Sequence, residues 1–501
     1  MKTNFKTFLL ALVIGLLSFN VSAQRTKPKS SNIFLNADYW KKQPSITKIK
    51  ASQKEGHSLT EANAGGFDAT TFAIFGGNSV KTIDYLLSQG NDVNKRTHDS
   101  RTYIFWTASR GYLDVVKFLV NKGSKLDLVD SHGYGIISFT AAAGQTNTEV
   151  YDYLIASGGD VKKEKDHHGN NSLLVAASRA KDLKLVDYFI SKGLDINSTD
   201  DHGNGIFNYA AQGGNIDILK QLVDRGVSIK KNKITKENAI FFASKGKAST
   251  LALFEYLEGL GLSANITTTE GVTPLHNLAG STKDQEILDY FVAKGVNPNA
   301  TNKEGETALL KAAARNKLPI VTYFTEKTQN INLADKNGKT ALTAAIQSNS
   351  AGVVSYLIAK GANIEALDAK GNNVAAYLFN GRGKPRDFDA KVAALTKKGF
   401  DFKKLQGDDR SIWHLAVSKN NIGLLKKISA FGADINAKDK NGNSPLHYAA
   451  MKTENTDILK FLIANGADIK STTEFGETAL DLANENELLV KNKVNLQFLN
   501  Y

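Results

Sequence analysis

One interval governs this chain. Thr273-Pro274-Leu275-His276 returns as Ser444-Pro445-Leu446-His447 and, in degraded form, at about ten other places 33 to 35 residues apart. A glycine keeps the same beat, at Gly56, Gly90, Gly123, Gly158, Gly193, Gly226, Gly261, Gly295, Gly361, Gly399, Gly432 and Gly466. Between Gly295 and Gly361 two units follow one another, and their shared glycine has given way to Thr328-Gln329-Asn330. By length alone, 501 residues suggest about three globular domains. The unbroken repeat overrides that expectation, because a stack whose units touch only their neighbours grows past the size at which a single core splits.

The best-preserved unit, 439–470, shows what each copy builds. Asp439-Lys440-Asn441-Gly442 is a turn, Pro445 suits the first position of a helix, and Leu446, Ala449 and Ala450 give that helix one narrow apolar face. Ile458, Leu459, Phe461, Leu462 and Ile463 build a bulkier second helix that Gly466 stops. Comparable units begin near Asp130, Asp166, Asp200, Asn302, Asp335 and Asp368, and weaker ones near Thr97, Lys233, Thr268 and Gln406. A degenerate first unit carries Phe34, Leu35, Tyr39 and Trp40, with Pro44 opening a second helix through Ile46 and Ile49. About thirteen units result, counting this N-terminal cap (34–66), the array (67–472) and a C-terminal capping segment (473–501).

A period near 33 with a Thr-Pro-Leu-His motif separates this chain from helical repeats that run longer or carry other marks. Over residues 34 to about 495 it resembles the ankyrin repeat family. The resemblance implies an all-α repeat solenoid of helix-turn-helix units with short β-hairpin or turn connections. Hairpins and first helices would line a concave side where protein partners dock. It also assigns His276, His414 and His447, in the fourth slot of the motif, to hydrogen bonds that knit adjacent hairpins.

The first residues fall outside the repeat. Lys2 and Lys6 precede an apolar run from Phe8 to Leu17, and Val21-Ser22-Ala23 follows, the pattern of a secretory signal (1–23) cleaved before Gln24. The run is too short to span a bilayer. Residues 24–33 then form a polar lead-in. Export to periplasm or exterior, with no stable membrane insertion once the signal is gone, is the expectation. Together with Asp-Xaa-His-Gly hairpins, this resembles exported ankyrin proteins of Bacteroidetes-type bacteria.

Zero cysteines remove disulfides, thiolate zinc sites and cysteine nucleophiles together. The net charge of +13 falls to +11 when Lys2 and Lys6 leave with the signal. Because lysines are sprinkled over nearly every unit, a solvated surface is expected and no nucleic-acid partner. Two departures from the repeat stand out. Gly361 to Gly399 spans 38 residues, the excess lying in 380–387 between two helices, either a plain loop insertion or a basic protrusion. Near Lys327 to Asn330 the stop glycine is missing and Pro319 enters the second helix, a place for a hinge or a change of curvature.

Register turns scattered residues into columns. His132, His168 and His202 recur at successive hairpin tips, with His98 near the same ridge and Tyr134 beside His132. Histidine and aspartate suit zinc or copper, but metal ligands lie about 2 Å from the ion whereas neighbouring units stand about one helix diameter apart, about 10 Å. A pH-sensitive partner contact and plain solvated turns are the other readings. A second column, the residue after the histidine slot, holds Phe72, Trp106, Phe139, Val175, Tyr209 and Phe242 in six successive units, then Asn277, Lys311 and Ala344. In the family this slot is usually an inter-repeat packing residue. Alternatively it forms a partly exposed aromatic lane flanked by Arg101, Arg110 and Arg179, the composition favoured at binding hot spots.

None of the strong catalytic signatures occurs: no H-E-x-x-H, no G-x-S-x-G, no phosphate-binding loop and no dinucleotide fingerprint. The chain is therefore expected to be a monomeric, non-catalytic scaffold without a cofactor. It would hold a protein or peptide through a concave face on which Arg101, Trp106, Arg110, His132, Tyr134, Phe139, His168, Arg179, His202 and Tyr209 are the candidate contacts. A periplasmic chaperone-like factor for an envelope enzyme and a metal carrier on the hairpin histidines are the alternatives.

Overall fold

The computed structural model describes residues 32–229, 232, 234–381 and 385–500. The signal segment 1–23, the lead-in up to residue 31, the expected unit start at Lys233 and residues 382–384 of the insertion lie outside the described residues. Among the described residues there are 28 α-helices in antiparallel pairs, which makes fourteen units where the spacing counted about thirteen. The architecture is an all-α repeat solenoid that divides into two compact units, 1–269 and 270–501. Seven helix pairs fall in each.

Most first helices start where the sequence offers a capping oxygen. The residues before these helices include Asp68, Asn171, Asn238, Thr307, Thr340 and Ser444, and each accepts from an amide of the first turn, so one otherwise orphaned donor is satisfied. First helices are short and carry alanine pairs with almost no exposure, such as Ala312 and Ala313 or Ala449 and Ala450, which let three helices meet closely. Second helices bury a broader apolar stripe, as Ile218, Leu219 and Leu222 do in Ile216–Asp224. All twelve stop glycines take positive φ, between 66° and 110°, the left-handed turn that ends a helix cheaply only at glycine.

Where that glycine is missing, the helix ends in extended backbone at Thr328 (φ −79°) and keeps an asparagine bond that glycine-ended units also make, as Asn332 does to Gly361 O and Asn436 to Gly466 O. Asn299 of the preceding unit donates to Lys327 O at 2.8 Å and accepts from Gln329 N at 2.9 Å, satisfying the end of Leu318–Lys327. A second set of asparagines, Asn78, Asn316, Asn349 and Asn486, sits between the two helices of some units. Asn316 Nδ2 donates to Ala279 O and Thr282 O (2.9 and 2.7 Å), and Asn349 Nδ2 donates to Ala313 O and Asn316 O (2.9 and 2.8 Å). In the N-terminal cap, Pro44 precedes the capping Ser45 and the second helix begins at Ile46, one turn position later than expected from the proline.

The connections are turns rather than β-hairpins. No strand occurs among the described residues, only three isolated bridges: Ala62 with Asp68, Thr199 with Gly205, and Thr472 with Thr478. Asp130 illustrates the turn: its Oδ1 accepts from His132 N and Tyr134 N at 2.8 and 3.0 Å. Successive tips are stitched by single backbone bonds, Ser131 N to Asp99 O, His167 N to His132 O, and Asp201 N to His168 O. Gly133 is required here twice over, by φ +85° and because a Cβ would lie 2.7 Å from His167 N.

Candidate partner-binding face

The side of the first compact unit that carries hairpins and first helices is built by two register positions. One is the slot after the histidine position; the other is the residue just before or at the hairpin exit. Slot residues Phe72, Trp106, Phe139 and Tyr209 are half-buried, whereas Val175 and Phe242 are buried. Where the slot aromatic has a polar head, that head reaches back nine residues to the start of its own hairpin. Trp106 Nε1 donates to Thr97 Oγ1 at 2.8 Å, and Tyr209 OH donates to Asp200 Oδ2 at 2.7 Å. Burial, together with the Asp200 carboxylate, pushes the Tyr209 hydroxyl far above the ordinary phenol range. These aromatics brace the hairpin and remain partly exposed.

Residues at the hairpin exit slide between successive slots. Phe67 meets Phe72, Phe75 and Trp106 with ring centroids 6.2, 5.6 and 5.7 Å apart, and Trp106 meets Phe139 at 5.6 Å. Arg101 takes the same place one unit on. Its guanidinium lies 5.1 Å from the Trp106 ring and 4.3 Å from the Phe139 ring. Nη1 bonds Asp99 Oδ2 at 2.9 Å, while Nε and Nη2 hold Asp130 Oδ2 at 2.8 and 2.7 Å. Arg110 closes the cluster from outside, exposed, with its guanidinium 5.2 Å from the Phe75 ring. The result is a continuous half-buried surface of Phe67, Phe72, Phe75, Trp106 and Phe139 capped by one free-standing arginine.

The ten candidate contacts separate accordingly. Trp106, Phe139 and Arg110 belong to this surface. Arg101 touches it from beneath and is buried, a clamp more than a contact. Tyr134 is half-buried, its hydroxyl pushed up to about 12 by burial and then by Asp166. His132, His168, Arg179 and His202 are exposed. His132 Nε2 stands 3.6 Å from Asp99 Oδ2, and the His168 and His202 rings are 6.4 Å apart. Among the described residues no three His, Asp or Glu side chains converge enough to hold a metal ion. Tyr209 pairs with Phe242 at 5.3 Å, and Val175 separates that pair in register from the Phe67 cluster. Phe67 and Phe75 escaped the sequence reading; Phe67 shares the column of Arg101 and Tyr134, and Phe75 follows Phe72 by three, one helical turn.

The motif histidines do what the resemblance implied. In all three, Nδ1 accepts from the backbone amide at the helix start (Thr273, Ser411, Ser444) at 3.0 to 3.1 Å. Nε2 then donates to a carbonyl of the next hairpin, Glu306, Asn443 or Ser471, at 2.9 to 3.0 Å. That pairing needs the neutral ring, and burial holds each imidazole below its ordinary range. Among the described residues no helix is long and apolar enough to cross a membrane.

Comparison with known families agrees with this geometry. A model of ankyrin repeats in three copies matches residues 70–166, 240–333, 275–368 and 413–497, and one of ankyrin repeats in many copies matches 173–223. The chain is also similar to alpha-latrocrustotoxin-Lt1a of Latrodectus tredecimguttatus, 33% identical over 92 residues. That stretch is 18% of this chain and 6% of the toxin, so this chain spans only a small part of the toxin's length.

Proposed function

The chain belongs to the ankyrin repeat family, and from that premise we propose that it is a non-catalytic scaffold that holds a protein or peptide partner against the aromatic surface of its first compact unit. Ankyrin repeats generally mediate protein–protein interaction. The observation that carries the assignment to this surface is the half-buried cluster of Phe67, Phe72, Phe75, Trp106 and Phe139 under Arg110. Contiguous apolar area of this kind on a solvent-facing side is characteristic of interaction sites. Aromatic residues with an arginine are what alanine scans find at interface centres. The rings arrive pre-ordered by Thr97 and by one another, so a partner loses little by fixing them.

Export supports a partner in the periplasm or outside the cell, and rests on the Lys2 to Ala23 pattern. A photo-crosslinking residue placed at Arg110 in living cells tests the surface, with Lys117 on the adjoining second helix as the control. A discrete adduct at 110 that is absent at 117 and lost in Phe75→Ser supports the reading. Equal adducts at both positions, or none at 110, overturn it. N-terminal sequencing of the mature chain checks the export proposal, with Gln24 as the expected first residue.

A further inference from the structure

Five asparagines of the chain are followed directly by glycine: Asn204, Asn337, Asn380, Asn441 and Asn465. That dipeptide is chemically unstable wherever the chain is free to turn, because the glycine nitrogen attacks the asparagine side-chain amide and no Cβ obstructs its approach. The attack forms a bond from glycine N to asparagine Cγ and breaks Cγ–Nδ2, so ammonia leaves and a succinimide ring remains. Water then opens the ring at either carbonyl, giving aspartate or isoaspartate. Two freedoms are needed: an asparagine side chain not held elsewhere, and a glycine amide that is not already donating.

The fold withdraws one or both at four of the five. Asn204 is 2% exposed; its Nδ2 donates to Asp200 Oδ2 at 3.0 Å and its Oδ1 accepts from Asn232 Nδ2 at 2.7 Å. Gly338 N and Gly442 N donate to Asp335 O and Asp439 O, each at 2.9 Å, in the turns that carry Asn337 and Asn441. The same turns are held again by Asp335 Oδ1 and Asp439 Oδ1, which accept from Asn337 N and Asn441 N at 2.8 and 3.0 Å. At the end of Asp457–Ala464, Gly466 N donates to Ile463 O at 3.0 Å and Asn465 Nδ2 donates to Phe461 O at 2.7 Å.

Asn380 is the exception. It follows Val374–Phe379 and is exposed. Among the described residues its side chain has no hydrogen-bond partner and Gly381 N has no acceptor. The bonds that hold this peptide are made by its oxygens: Gln347 Nε2 donates to Asn380 O at 3.4 Å, and Lys419 Nζ donates to Gly381 O at 3.0 Å. Neither engages the attacking nitrogen or the attacked carbon. The longer of the two comes from a flexible side chain, so it yields readily as Asn380 turns from ψ −7° toward ring closure.

We propose that Asn380 is a site of spontaneous modification, converted to aspartate and isoaspartate in the folded chain while the fold keeps the other four Asn-Gly pairs intact. The conversion draws on water alone. Either product places a new carboxylate where Gln347 and Lys419 reach in from the units on both sides. In isoaspartate that carboxylate is the former Asn380 carbonyl, so the group that Gln347 touches is itself changed, and the backbone runs on through the side chain, one carbon longer.

Peptide mapping by mass spectrometry, on the full chain held in neutral buffer over a time course, reads conversion at all five positions. Asn380 is expected to convert at least about tenfold faster than any of the other four. In urea, where the turns are lost, the five rates should draw together. Isoelectric focusing gives a second reading: an acidic form should accumulate in the wild type and be mostly lost in Asn380→Gln, whose longer side chain must close a larger ring. Conversion at any other position as fast as at Asn380, an unchanged Asn380 in the folded chain, or an acidic form that builds equally in Asn380→Gln overturns the proposal.

Discussion

Arg101 and Arg110 lie nine residues apart beside the same rings, and the structure gives them opposite consequences on truncation. The Arg101 side chain is 10% exposed and that of its partner Asp130 is 0% exposed. Arg101→Ala therefore leaves Asp130 buried without its cation, and removing one member of a buried pair costs about 3 to 5 kcal/mol. Two features pull the figure toward the low end. Asp130 Oδ1 keeps its bonds from His132 N and Tyr134 N, and Asp99, 29% exposed, can hydrate. Loss of the stacked guanidinium on Trp106 and Phe139 adds about 0.5 to 1 kcal/mol. We expect about 3 kcal/mol for Arg101→Ala, about half of that for Arg101→Lys, which keeps the charge but not the fork, and under about 0.5 kcal/mol for Arg110→Ala. Urea unfolding read by tryptophan fluorescence measures the cost, because Trp106 sits in the cluster. Hydrogen exchange localises it, with protection falling first in Tyr103–Arg110 and Ile136–Ala142. The crosslinked partner should disappear with Arg110→Glu at unchanged stability. An Arg101→Ala chain as stable as wild type would refute the clamp, and an Arg110→Ala chain equally destabilised would refute the distinction.

Two further outcomes follow from the packing. Gly135 starts Ile136–Ala142 without a capping side chain, and Glu164, at the end of the same unit, supplies the cap, accepting from Ile137 N and Ser138 N at 3.2 and 2.7 Å. A Cβ at Gly135 would lie 2.3 Å from Glu164 Cδ, so Gly135→Ala and Glu164→Ala should each cost about 1 to 2 kcal/mol, and the double variant no more than either; additive costs in urea unfolding would contradict a shared cap. The motif histidines set a pH dependence in the second unit. Their folded-state pKa values lie below the ordinary 6.5, so the unfolded chain binds more protons on acidification. Their contribution is complete above about pH 6.5 and declines as pH falls toward the folded values. Urea midpoints for the second unit should drop between about pH 7 and about pH 5, and replacing all three by Gln should flatten that slope; an unchanged slope would remove the histidines as its cause.

The helix pairs were legible because each depends on local signals at a fixed offset: a capping oxygen, an alanine face and a stop glycine. The asparagines that join units were not. Asn316 and Asn349 stand nine residues after their capping threonines, a constant offset, yet their partners are carbonyls some 35 residues back, which no local pattern announces. The candidate contacts were legible as columns and illegible as surfaces. Register places Arg101 beside the aromatic lane but does not say that Asp130, one unit on, draws its guanidinium inward. Nor does it show that Phe67 inserts between slots, since its column otherwise holds residues as different as Arg101, Asn170, Glu237 and Lys339.

Stability and the proposed recognition thus fall on different positions of the same unit. Caps, stop glycines and bridging asparagines have partners fixed by backbone geometry, so they cannot change without cost. The slot and the hairpin exit meet fewer such demands, and there residue types vary, Phe67, Trp106 and Phe139 in one half, Val272, Lys311 and Ala344 in the other. Slot aromatics with a bonded head are an intermediate case. Trp106 through Thr97, and Tyr209 through Asp200, serve hairpin and surface together, so truncating them mixes lost folding with lost binding. A partner search that relied on Trp106, Phe139 and Tyr209 substitutions would inherit that ambiguity. Arg110 and Phe75 lie outside the hydrogen-bond framework that joins the units, and it is at such positions that a change in capture can be read as a change in contact.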